Sequence, residues 1–155
     1  MTITEQISGQ LREVFFGKNW TASNLQQHVA GISWVDATTK VHSFNTIAAL
    51  VYHSYYYVAA NLQVLKGNPL DAHDKYSFDH PAIYSQEDWD GFLNKVWLDV
   101  EELATLTAAL PDDQLWNTFV NEAYGNYYRN LNGVIQHTHY HLGQIVLIKK
   151  LLAEQ

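Results

Sequence analysis

An all-α fold, an up-and-down bundle of four helices with short additional helices and one long loop, is what three features of this 155-residue chain predict. Helix breakers are sparse, with only three prolines, at positions 69, 81 and 111, and eight glycines set mostly between periodic segments. Apolar residues recur three and four apart over long stretches, and no βαβ pattern or internal repeat competes with them. Apolar residues make up 47 % of the chain and charged residues 16 %, which excludes disorder and coiled coil and leaves one domain, residues 1–155, with a sizeable core.

The elements follow in order. Thr4 to Phe16 carries Ile7, Leu11, Val14 and Phe15 at helical spacing, and a second helix is expected from Thr21 to Ile32 on Leu25, Val29 and Ile32. The clearest helix spans Phe44 to Lys66, with Phe44, Ile47, Val51, Val58, Leu62 and Leu65 on one stripe. Gly67 and Pro69 end it, and its 23 residues make a rod of about 35 Å. Gly67 to Ser85 is a long polar loop, expected to be functional or wrapped over the bundle. Ser85 has the character of an N-cap, with Asp88 three residues on, and opens a helix that runs to Leu110 before Pro111. Residues 114–128 fit neither period. A last helix from Arg129 to Leu152 carries Leu131, Val134, Ile145, Ile148 and Leu152 along one face.

Charge and composition narrow the chemistry. Nine basic against sixteen acidic residues give −7, and no run of three Lys or Arg occurs, so nucleic acid is not an expected partner. No stretch is apolar and long enough for a membrane span, and the N-terminus lacks the marks of a signal peptide, so no membrane partner and a cytoplasmic location are expected. The absence of cysteine removes thiolate nucleophiles and Cys-ligated metals; a transition metal would have to sit on nitrogen and oxygen.

Eight histidines stand against that background, three of them within five residues. His137 and His141, four apart, share one helix face and can reach one metal ion, and they fall where Val134, Ile145, Ile148 and Leu152 call for core residues. Such a pair is also found in structural roles, satisfied by a carbonyl. His139 lies about 200° around the helix from that face and cannot join them. His53 sits in the apolar segment LVYHSYYYV, where either a metal or a neighbouring tyrosine hydroxyl would satisfy a buried imidazole. Gln144 lies on the same face as the pair, as a contact to a ligand imidazole or substrate or as the filler of a polar gap. Gly143 is expected to admit a neighbouring helix. Asn45, Tyr52, Tyr56 and Tyr57 are candidate polar groups near such a metal, although tyrosines in a bundle are more often core and interface residues. Asp71, His73, Asp74, Asp79 and His80 read as a solvated loop rather than a calcium site, and His28 and His42 as surface or cap residues.

The segments HSFNTIAALVYHSYYYVAANLQVLKG and HTHYHLGQIVLIKKLL resemble the DinB-like family of four-helix metalloproteins, and FFGKNWTASNLQQHVAGIS resembles that family's N-terminal helix. The resemblance covers nearly the whole chain and implies that His53, His137 and His141 hold a divalent ion, Zn²⁺ or Ni²⁺. It further implies a homodimer and a small-molecule substrate. Three histidines with a fourth position left open form a catalytic pattern, and the resemblance implies a metal-dependent transfer to or from a low-molecular-weight thiol such as bacillithiol, or a hydrolysis. The alternative is a stress-associated module in which the ion is structural and staples three helices. Lys66, Lys75, Lys95, Arg129, Lys149 and Lys150 are dispersed along the chain and form no evident site for an anionic thiol.

Overall fold

The computed structural model describes residues 1–154. Six α-helices are present among them: α1 (Ile3–Phe15), α2 (Leu25–Val29), α3 (Trp34–Thr38), α4 (Ile47–Leu65), α5 (Gln86–Ala109) and α6 (Tyr127–Ala153). No strand forms among the described residues, and the single β-bridge joins Thr118 to Asn126.

Local chemistry fixes where the helices start. Each opens on a Ser, Thr or Asn whose side chain accepts from a backbone N–H of the first turn: Thr2, Asn24, Ser33, Thr46, Ser85 and Asn126. Thr2 and Glu5 complete a reciprocal capping box, and the Asp112 carboxylate also accepts from the N–H groups of Ile3 and Thr4 at 3.2 and 3.1 Å. Those bonds, Thr4's foremost, hold the Asp112 carboxyl below its ordinary range.

These caps move several predicted boundaries. The helix expected over 21–32 shortens to α2, because Asn19, Thr21 and Ser23 bond among themselves as a turn before Asn24 caps. The third predicted helix begins at Ile47 rather than Phe44; Thr46 caps it and leaves Phe44 and Asn45 in the preceding loop, with Phe44 exposed. The final helix starts two residues before Arg129, at Tyr127. Two 3₁₀ turns occupy or overlap the stretch that fits neither period, Asp112–Trp116, which begins two residues before it, and Glu122–Tyr124. Between them and α6, Gly125 takes φ of 75°, a left-handed conformation that favours glycine.

The four long helices share one core. α1 packs on α5 and α6, and α4 packs on α5 and α6. Leu11, Phe15, Val51, Trp89, Leu103, Leu131 and Ile145 meet there with negligible exposure. Truncating a fully enclosed ring such as Trp89 to alanine costs about 3–5 kcal/mol on the scale of large core deletions. Polar bonds lock α1 to α5: Ser8 Oγ donates to the Ala104 carbonyl, and Arg12 bonds both Ser8 and Glu101. Gly143 of α6 faces open space, since a Cβ built there meets nothing within 4 Å. No other helix of this chain packs against it.

Candidate metal centre

α4 and α6 pack face to face, and their apolar stripes bring His53 against His137 and His141. The Nε2 atoms converge: His137 Nε2 lies 3.1 Å from His53 Nε2 and 3.0 Å from His141 Nε2. All three offer one ligand atom within 4.8 Å of the others, and they form the one such group of His, Asp and Glu among the described residues. His53 and His141 are buried, and His137 is half-buried.

The far side of two rings shows which nitrogen carries hydrogen. His53 Nδ1 faces the Ser77 carbonyl at 3.3 Å, and His141 Nδ1 faces Gln144 Oε1 at 2.7 Å. The Ser77 carbonyl has only lone pairs and requires an N–H opposite it, so His53 is the Nδ1–H tautomer with an Nε2 lone pair inward, and Gln144, with its oxygen assigned toward His141, selects the same tautomer there. Lone pairs 3 Å apart need a shared positive centre. A proton on His137 Nε2 satisfies one contact at a time, whereas a metal ion satisfies all three. Zn²⁺ at 2.0–2.1 Å from each nitrogen of a tetrahedral set spaces the nitrogens by about 3.3 Å, within a few tenths of an ångström of the two short contacts. The residues therefore fit a divalent ion.

Electrostatics favour the neutral, ligating form. Burial, then the neighbouring His141 and His53, lower the pKa of His137 to about 4. Burial, then His141, also lowers that of His53.

A wall of aromatic rings encloses the group. Phe78 stacks on His53 at 3.8 Å between centroids, and Tyr57 lies edge-on to both His53 and His137. The loop between α4 and α5 supplies part of that wall. Tyr57 donates to Asp74, and Tyr56 Oη pairs with the backbone N–H and carbonyl of His73. This loop is thus tied to α4 beside the histidines, while Asp71, His73, Asp74 and Asp79 stay exposed to solvent. Its acidic and histidine residues still form no metal group of their own among the described residues.

No protein-family model, curated protein or solved structure matches this chain. The site therefore stands on its own geometry.

Other candidates are placed as follows. Gln144 contacts His141 directly. Tyr52 turns away toward Tyr55, Tyr56 and Phe92, and Asn45 shares a cavity of about 380 Å³ with Gln144. His139 lies outside the group, half-buried. His28 bonds Ser23 Oγ, and His42 is exposed at φ of 51°. The three histidines come from two helices, so an ion here would join α4 to α6 and, through Ser77, the loop; it would not staple three helices. Sequence reasoning missed Ser77 and Phe78, because a backbone carbonyl carries no residue signature and Phe78 lies in a segment without periodicity.

Proposed function

We propose that this chain is a divalent-metal protein of the DinB-like kind, in which Nε2 of His53, His137 and His141 holds Zn²⁺ or Ni²⁺, and that it acts as a metal-dependent enzyme on a low-molecular-weight thiol, as a transferase or hydrolase. The single observation that carries the reading is the pair of oxygen acceptors, Ser77 O and Gln144 Oε1, that turn two converging imidazoles into inward lone-pair donors. When bound, the ion supplies Lewis acidity, lowering the pKa of a water or thiol that shares it and polarising an electrophile. The chain itself does the positioning. Ser77 and Gln144 fix the rings, while Phe78 and Tyr57 keep bulk water from His53. Three protein ligands leave a fourth position to a small molecule, the count found in catalytic rather than closed sites. With no cysteine in the chain, any thiol must come from the substrate. A homodimer belongs to the same reading, supported by exposed Tyr140 and Leu147 one heptad apart on α6. So does a cytoplasmic location with neither membrane nor nucleic-acid partner, supported by helices too short or polar to cross a bilayer and by the −7 charge.

The loop fastened to His53 through Ser77 favours one second reading, an ion that orders this loop and has no catalytic role. Cobalt substitution separates the two. Adding 2-mercaptoethanol to Co²⁺-loaded protein is expected to produce a thiolate-to-cobalt charge-transfer absorption. Bound Co²⁺ whose spectrum ignores the thiol would leave the ion structural.

A further inference from the structure

A cavity of about 550 Å³ lies between α4, α5 and the loop that joins them, within the size range of small-molecule sites. It is centred about a quarter turn around α4 from His53. Local chemistry accounts for its presence. Tyr56 stands at the cavity as a strut, its hydroxyl paired with the N–H and carbonyl of His73, and so holds the loop one tyrosine's length away from α4. Beside it Ala59 and Ala60 leave the helix surface low, while Pro69 and Pro81 stiffen the loop opposite.

The walls are aromatic. Tyr52, Tyr55 and Phe92 line the cavity with ring centroids 6.1–6.3 Å apart and planes tilted by 43–81°, so no ring covers the face of another. Such faces carry negative charge density and attract cations. One cation already reaches them from the cavity side: Lys95 Nζ lies 5.9 Å from the centroid of the Tyr55 ring. Its charge is neutralised within the fold, because the Asp99 carboxylate accepts from Lys95 at 2.9 Å and from the Tyr55 hydroxyl at 2.5 Å.

The remaining charge at the cavity is negative. Asp71 lines it, with His73 at 3.6 Å but no Lys or Arg within ion-pair distance among the described residues. Asp79 acts on Tyr52 from the same loop; burial, then Tyr56 and Asp79, raise the pKa of that hydroxyl, so the ring stays a neutral phenol. Aromatic faces with an unpaired carboxylate beside them suit an alkylated ammonium better than a bare one. Its methyl groups bury against rings and alanines without giving up hydrogen bonds to water.

We infer that this cavity binds a small quaternary ammonium compound, with its methyl groups against Tyr52, Tyr55 and Phe92 and its charge balanced by Asp71. The inference goes beyond the metal reading and does not rest on it, since none of the three histidines lines the cavity.

The test is a titration of the purified protein with choline and with 3,3-dimethylbutanol, its uncharged isostere, read by NMR at the methyl groups of Ala59 and Ala60. Choline should shift both signals saturably, and the alcohol should bind about tenfold more weakly. Tyr52→Leu should weaken choline about tenfold with helical circular dichroism unchanged. Lys95→Gln, which removes an exposed competing cation and frees Asp99, should tighten choline several-fold, and Asp71→Asn should weaken it. Choline that shifts neither methyl signal overturns the inference. So does an alcohol that binds as tightly as choline, or a Lys95→Gln chain that binds choline no better than the original.

Discussion

His137 is the residue on which the site turns, because it contacts both other histidines through one nitrogen. Its lowered pKa gives a pH prediction for the metal-free protein. With a folded value of about 4 against an ordinary value near 6.5, the unfolded chain binds more protons than the folded chain between those limits. Stability is therefore full above about pH 6.5 and is lost as pH falls toward 4. His53, lowered in the same direction, adds to the loss. Urea midpoints of chelated protein across this window should fall with pH, and His137→Gln should flatten the slope. His141→Ala should abolish zinc binding by elemental analysis, whereas His139→Ala should leave it intact. Gln144→Leu, which frees the His141 ring without removing a ligand, should weaken zinc about 10–100-fold in competition with a chelator.

At the scale of the element, α6 carries two of the three converging histidines, with Gln144 against one of them, on one rod. Gly143 contributes no close approach there, so Gly143→Ala should stabilise the protein by about 0.5–1 kcal/mol, read as a higher melting temperature with zinc binding kept. The loop from Gly67 to Ser85 is tied to α4 by Tyr56, Tyr57 and His53. An ion on His53 Nε2 would fix the ring and thereby its bond to Ser77. Hydrogen exchange at residues 74–80 should slow when zinc is added, and Phe78→Ala should weaken that protection. The sequence carried much of this. The four-residue spacing of His137 and His141 on an apolar stripe placed them inward, and Ser85 and Pro111 marked both ends of α5. What stayed hidden was contact from elsewhere in the chain: the Ser77 carbonyl on His53 and Asp112 on the start of α1. Residues 114–128 were illegible because 3₁₀ turns give no repeat long enough to read.

For the whole molecule, the core of α1, α4, α5 and α6 closes without the ion, through Leu11, Phe15, Trp89, Leu103 and Ile145. Chelated protein should keep its helical circular dichroism, and added zinc should raise the melting temperature in proportion to the logarithm of its free concentration over Kd. A chain that unfolds on chelation would contradict this separation of scaffold and site. The central claim is that three Nε2 atoms share one divalent ion. An anomalous difference map from zinc-soaked crystals, recorded above the zinc edge, tests it most directly. The account predicts one strong peak about 2.0–2.1 Å from Nε2 of His53, His137 and His141; no peak there, or zinc held instead by the loop histidines His73 and His80, would contradict it.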